Sequence, residues 1–295
     1  MKKVLLATTA LTLSAGFAAA AELSISGSAE MGINDDGTND VQFFQDMDVT
    51  FKGSGTTDGG LSFGFAIDLD EGGSGARAHA PEDDGGASIF ISGDFGTLTM
   101  GDTDGAFDWA LTETASGGSI DDAHTVHAGY NGNSGLDGSS DGQVLRYDNT
   151  FGDFGVAVSL EQDATSSGLT TTSATGETLG LGIKGSFGDF NIGLGFQDND
   201  ADDIVGLSVS GDFGPVNVIA NYSDRDLAAD SSVGLAVTYA DGPLTLMANY
   251  GDNEGTEGFG VHADYDLGGG LEAQFGYGDT DGGVSTWSLG FAMSF

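Results

Sequence analysis

Four histidines, His79, His124, His127 and His262, are the side chains in this sequence that could ligate a metal or pass a proton near neutral pH. His124 and His127 stand three apart beside Asp121 and Asp122, a spacing open to a metal patch. Hard-oxygen ligands gather at Asp198, Asp200, Asp202 and Asp203, and again at Asp102 and Asp104, where Ca²⁺ is the ion that carboxylates would take. Neither run has the glycine and distal glutamate of an EF-hand loop, and histidines in a long polar loop are ordinarily just solvated. No order of Ser, His and acid defines a nucleophile. The absence of cysteine removes thiolate ligands, Cys nucleophiles and disulfides. The expectation is a chain that requires no cofactor, with Ca²⁺ the one candidate ion.

Fixed charge is the other chemistry on offer. There are 46 acidic and 7 basic residues, a formal net charge of −39, which makes nucleic acid an unsuitable partner. Seven of the acids, Asp104, Asp108, Glu113, Asp121, Asp122, Asp137 and Asp141, fall within residues 103–143, which hold no Lys or Arg. Such a balance reads as disorder when apolar residues are scarce. With 19 phenylalanines and 39% hydrophobic residues they are not scarce, so a folded scaffold must position these charges.

The N-terminus reads as an export signal. Lys2 and Lys3 precede an apolar stretch from Val4 to Phe17, and an Ala18 to Ala21 run supplies the cleavage site, so residues 1–21 are expected to be removed. Beyond them no run of 18 apolar residues exists to form a transmembrane helix. Residues 22–295 show no composition shift and read as one unit.

Period 2 dominates that unit. Leu23, Ile25, Gly27, Ala29, Met31 and Ile33 alternate with Glu22, Ser24, Ser26, Ser28 and Glu30, which describes a strand with one greasy and one wet face. Val41 to Phe51 and Leu61 to Leu69 repeat the pattern, shorter pieces follow around Ile89, Leu98 and Leu145, and ten further faces run from Phe154 to Phe295. The total is sixteen strands, an even number that lets an up-and-down bacterial barrel close with both termini on one side. Short connections at Gly152-Asp153, Asp212-Phe213-Gly214, Asp241-Gly242 and Gly268-Gly269-Gly270 alternate with longer acidic ones, as outer-membrane barrels require.

Charge is absent from the apolar parity of these strands, although 18% of the chain is charged. A lipid-facing charge near the bilayer midplane costs roughly 2 to 4 kcal/mol, so this exclusion is what hydrocarbon contact demands. A soluble sandwich also alternates. Its wet face, however, normally carries Lys and Glu, whereas here Gly180, Gly182, Gly193, Gly195, Gly234, Ala236 and Thr238 suit a crowded or lumen-lining wall. Tyr222, Tyr239, Tyr250, Tyr265 and Tyr277, closing apolar faces, are expected at the membrane interface.

The ending Trp287-Ser-Leu289-Gly-Phe291-Ala-Met293-Ser-Phe295 resembles the C-terminal strand signature of outer-membrane proteins. The runs Lys52-Gly-Ser-Gly-Thr-Thr-Asp58-Gly-Gly-Leu61-Ser-Phe63, Ile91-Ser-Gly-Asp94-Phe95-Gly-Thr-Leu-Thr-Met100-Gly-Asp102, Leu145-Arg146-Tyr147-Asp148 and Tyr265-Asp266-Leu267-Gly-Gly-Gly270 are similar to those of Gram-negative general diffusion porins, in particular the alphaproteobacterial group. The similarity covers residues 22–295.

This resemblance implies an integral outer-membrane homotrimer of 16-stranded antiparallel barrels. Each would sit among outer-membrane lipid and lipopolysaccharide as a passive channel for ions and small hydrophilic solutes. It implies that residues 103–143 fold inward as a constriction loop and that Arg146 faces the lumen. It also implies that the second long loop, residues 71–84 with Arg77, latches onto a neighbouring subunit. Relatives often place arginines on the second strand where this sequence has Asp46 and Asp48, leaving Lys52 alone. With Asp102, Asp104, Asp108, Glu113, Asp121 and Asp122 added, the expected channel prefers cations. Two other readings stay open: an outer-membrane barrel enzyme with its site at a rim, and a secreted calcium-binding β-protein, which would lack its tandem repeats.

Overall fold

The computed structural model describes residues 22–70, 73–74, 86–114, 119–120, 135–136, 144–162, 177–199 and 201–295. Residues 1–21, and with them the expected export signal, lie outside it. The described chain is almost entirely strand: β1 (Glu22–Asp35), β2 (Gln42–Thr56), β3 (Ser62–Asp70), β4 (Gly73–Ser74), β5 (Ala87–Gly93), β6 (Gly96–Gly101), β7 (Val144–Phe151), β8 (Phe154–Glu161) and β9 (Thr178–Phe187) come first. They are followed by β10 (Phe190–Asp198), β11 (Asp203–Phe213), β12 (Val216–Arg225), β13 (Ser232–Asp241), β14 (Leu244–Asn253), β15 (Thr256–Gly268), β16 (Leu271–Thr280) and β17 (Thr286–Ser294). The one described helix, α1 (Ala106–Ala110), lies between β6 and β7.

Every neighbouring pair is antiparallel, and β1 bonds both to β2 and to β17, so the sheet is a closed ring without an edge. The two-residue β4 pairs with β2 beyond the end of β3, as a continuation of that strand after a break. It leaves sixteen strands around the ring, the sixteen that period 2 predicts. Closure matters physically because hydrocarbon offers an unpaired N–H or C=O no partner.

The hairpins locate the strand ends. Gly152 and Gly188 open two-residue turns at φ 64° and 65°, and Gly214 and Gly242 do the same before Pro215 and Pro243. A glycine at the first central position is what a tight turn matching the strand twist demands. Asp212, Phe213 and Asp241, read from sequence as turn residues, therefore belong to β11 and β13.

The ring is inside out relative to a soluble protein. Leu181, Leu194, Leu207, Leu235 and Leu289 are all 39–53% exposed on the outer parity, while Ala157, Gln197, Ser208, Asn221, Ala236 and Ser288 on the inner parity are buried. A soluble sandwich is excluded on this ground, since the large apolar side chains lie outside and the contiguous apolar cluster among the described residues is no more than Phe107, Leu111 and Ile204 with Leu136 packed on it. The predicted tyrosines lie on the outer face at both rims, Tyr239 and Tyr265 at one and Tyr222, Tyr250 and Tyr277 at the other, where the connection after Tyr250 is only the two-residue turn Glu254-Gly255. At the first of these rims they are joined by phenylalanines whose rings meet edge to face, Phe154 with Phe187 and Phe190 with Phe213.

Candidate functional site: the inner wall and the loop laid along it

The chain between β6 and β7 enters the ring. Its helix α1 begins at Gly105, which has no side chain to cap it, and the first helical N–H, from Ala106, instead donates to the Ser159 hydroxyl of β8 at 2.8 Å. Ala106, Phe107 and Ala110 form the buried face. They rest directly on backbone: a Cβ added at Gly182 would overlap the Ala106 carbonyl, one at Gly193 the Ala110 carbonyl, and one at Gly195 the Phe107 ring. The small residues on the inner parity are thus the bed for this helix, which explains why the wet face of these strands carries so little charge.

The loop then continues round the wall. The Thr112 N–H donates to Ser208 Oγ of β11 at 2.9 Å, and Asn221 of β12 and Asn249 of β14 donate to the carbonyls of Thr112 and Thr114 at 3.3 and 3.2 Å. Ile120 is fully buried where β1 meets β17, and a Cβ at Gly32 or Gly290 would strike its Cδ1. On the return side, the Leu136 N–H donates to Gln197 Oε1 at 2.7 Å. Nearly all these bonds use loop backbone, so wall side chains supply the partners that a buried loop must find.

Bases hold the two ends of α1. Arg146 of β7 donates from Nη1 to the Asp104 carbonyl at 2.6 Å, lies 3.8 Å from that residue's carboxylate, and pairs through Nε with Asp148 at 3.3 Å. Lys184 of β9 donates from Nζ to the Trp109 carbonyl at 2.7 Å and sits 3.7 Å from the centre of the Trp109 ring.

The strands β1 to β3 form an acidic stretch of wall. Glu30 stands directly opposite Asp46, and Asp48 lies between Ser28, whose hydroxyl donates to it at 2.8 Å, and the backbone position of Asp70. Thr50 donates to Asp68 at 2.9 Å. Lys52, on the same parity of β2, is exposed.

Of the residues singled out from sequence, Asp46, Asp48, Lys52 and Arg146 all occupy the inner parity, and Arg146 meets Asp104. Asp102 begins the inserted loop with its N–H on the Ala87 carbonyl, Asp108 lies in α1, and Glu113 follows it. Asp121, Asp122, Arg77 and Asp200 lie outside the described residues, as do Asp137, Asp141, His79, His124 and His127. Among the candidate calcium ligands, Asp202 accepts from Arg225 at 3.0 Å and from the Leu227 N–H at 3.1 Å, and Arg225 also reaches Glu254 at 3.4 Å. Among the described residues no three His or acidic side chains gather as a metal would need. His262 is buried on β15 with Nε2 3.7 Å from Asp264. Sequence reading missed Asp148, Ser159, Lys184 and Trp109. Lys184 had a signal, a rare base in a glycine-rich alternating strand, but nothing in the order of residues brings it to Trp109.

A closed antiparallel ring of sixteen strands, greasy outside, polar inside and lined by its own inserted loop, defines an integral β-barrel of the bacterial outer membrane. The chain belongs to the Gram-negative porin family, whose profile matches residues 7–285. It is 31% identical over 185 residues to a porin of Rhodobacter capsulatus, a match spanning 62% of this chain and 58% of that relative. A porin structure refined at 1.8 Å superposes with a TM-score of 0.75 at 26% identity, covering 93% of this chain and all of the other. A triple mutant of the Rhodopseudomonas blastica porin shares the fold at a TM-score of 0.72 and 19% identity over 92% of this chain. Family and fold both point to a channel rather than an enzyme.

Proposed function

We propose that this protein is a passive, water-filled channel through which ions and small hydrophilic solutes cross the outer membrane, with no reaction catalysed and no cofactor required. The observation that carries this is the inversion of the ring: a continuous apolar exterior around a wall of Gly, Ser, Asn, Thr and charged residues. Residues 103–143 act as the constriction loop, for α1 and the segment after it lie against the inner parity of β8 to β14. A planar bilayer recording tests the reading. Discrete, ohmic conductance steps are expected, and a folded barrel that passes no current would overturn it.

The channel selects cations. Glu30, Asp46, Asp48 and Asp68 stand together on the inner parity, while Arg146 is engaged with Asp104 and Asp148 and Lys184 with Trp109 of the loop. A low-dielectric wall focuses the field of such a cluster into the lumen.

The working unit is a homotrimer. Strands β5 and β6 have 7 and 6 residues, against the 9 to 11 that a tilted strand needs to cross hydrocarbon. A wall this low is relieved when another subunit rather than lipid covers it. An apolar hollow of about 740 Å³, lined by Phe63, Phe65, Ile89, Ile91, Leu98 and Met100 among others, lies on the same face. The latch assigned to Arg77 belongs to this proposal. Cross-linking in detergent is expected to stop at three copies.

A further inference from the structure

Helix α1 has no basic residue in its last turn and no side-chain cap at its first. Five residues are too few to hold a helix by themselves, because the first hydrogen-bonded turn is unfavourable to form. What stabilises it comes from the wall. We infer that Arg146 and Lys184 are a two-point clamp that holds the loop helix against the barrel wall by its main chain, and that this clamp keeps the channel steadily open. The inference rests on the channel reading above.

Three features carry it. First, the two cations grip opposite ends of one short helix: Arg146 takes the carbonyl of Asp104, immediately before Gly105, and Lys184 takes the carbonyl of Trp109, one residue from the end. Both hydrogen-bond acceptors are backbone oxygens, which the loop offers whatever side chains it presents to solutes. Second, a cation at the C-terminal end of a helix meets unpaired carbonyls and the negative end of the helix dipole, the position a basic residue favours. Lys184 supplies from β9 what the helix lacks, and its ammonium also faces the Trp109 ring, a cation–π contact. Third, the bed beneath is smooth. Gly182, Gly193 and Gly195 carry no side chain that could interlock with α1, so beyond the packing of Phe107 against Ile204 the hold on the helix comes from polar contacts at its ends. Ser159, Arg146 and Lys184 provide them.

The roles of these two bases therefore differ from that of free lumen charges. Arg146 is largely sheltered and spends its guanidinium on Asp104 and Asp148, and Lys184 spends its ammonium on Trp109. They are positioning residues. Their loss is expected to change how constant the opening is, beyond any shift in ion preference.

The chain contains no cysteine, so engineered thiols can be read without interference. The test compares single-channel records of the wild type with Lys184→Met, Lys184→Arg, Arg146→Met and the Lys184→Met/Arg146→Met double variant. Lys184→Met is expected to raise the frequency of brief partial closures on the order of fivefold, with the double variant higher, because a charge-assisted hydrogen bond is lost at each site. Lys184→Arg restores most of the quiet. A nitroxide on Asp108→Cys gives a readout independent of current, sharply more mobile in Lys184→Met than with Lys184 in place. Lys184→Met and Arg146→Met channels that stay quiet while only their ion preference moves would overturn the clamp. A wild type that passes no current overturns the channel reading instead, and the nitroxide then still decides whether the bases hold the helix.

Discussion

Glu30 of β1 and Asp46 of β2 face each other as direct cross-strand partners on the inner parity, two carboxylates where a sheet ordinarily avoids like charges. Asp48 extends the pair one step along the same strand. Removing charge here is expected to lower cation preference most. The double variant Asp46→Asn/Asp48→Asn should move the zero-current potential in a salt gradient towards that of an unselective pore. An unchanged potential would place selectivity elsewhere.

The same preference should fade as salt rises. Charges lining a water-filled wall are screened over about 8 to 10 Å near physiological ionic strength and about 3 Å at molar salt. The cation-to-anion permeability ratio, taken at several mean salt concentrations with a fixed gradient, is expected to fall towards the ratio of free mobilities.

Gly193 lies against the Ala110 carbonyl with no room for a Cβ. Gly193→Val is expected to lift α1 from the wall towards the axis and reduce conductance. Overpacking of this kind costs roughly 1 to 3 kcal/mol. Conductance equal to or above that of the wild type would show that the loop does not narrow the path at this point.

Leu235 lies mid-strand on the outer face, 46% exposed to what is hydrocarbon in the membrane. Leu235→Arg is expected to cost roughly 2 to 4 kcal/mol in reversible unfolding from vesicles. Asn217→Arg, on the inner parity beside Asp212, is expected to be nearly neutral. Similar costs for the two would contradict the assignment of faces.

At the rim, Asp36 organises the turn between β1 and β2. Its carboxylate accepts from the Asn39 side chain at 2.7 Å, from the Asn39 and Thr38 N–H groups at 2.8 and 2.9 Å, and from the Thr38 hydroxyl at 2.9 Å. These bonds, the Asn39 amide foremost, hold it well below the ordinary aspartate value of 3.8. A depressed folded value means the turn is fully supported above the ordinary value and loses support only as pH falls through the lower one. Hydrogen exchange at Thr38 and Asn39 should therefore stay slow through pH 4, at which Asp36→Ala is already fast. Fast exchange at pH 4 in the wild type would contradict the assignment.

Much of the architecture was legible one strand at a time. Period 2 reports which parity touches hydrocarbon, because a strand's side chains alternate strictly and the bilayer tolerates no charge on one of them. Leu179, Leu181 and Ile183, or Leu244, Leu246 and Ala248, therefore declare their face without reference to any partner. Counting such faces gave sixteen, and the even number closes the ring. The break between β3 and β4 was invisible, since Gly73 and Ser74 carry no alternation. The turn boundaries at Asp212 and Asp241 were misplaced by a residue or two because only the glycine that follows is conformationally committed.

The interior was legible only in part. Asp46, Asp48 and Arg146 could be placed on the inner parity by counting from apolar neighbours. That small residues at Gly182, Gly193 and Gly195 meant a crowded wall was also readable, but what crowds them was not. The contacts that set the path through the barrel join residues far apart along the chain: Arg146 is 42 positions from Asp104, and Lys184 is 75 from Trp109. Alternation fixes direction, in or out, because that depends on local backbone geometry alone. Which inward side chain meets which part of the loop depends on strand register around the closed ring and on how the loop crosses it, and those are settled only when all sixteen strands are paired.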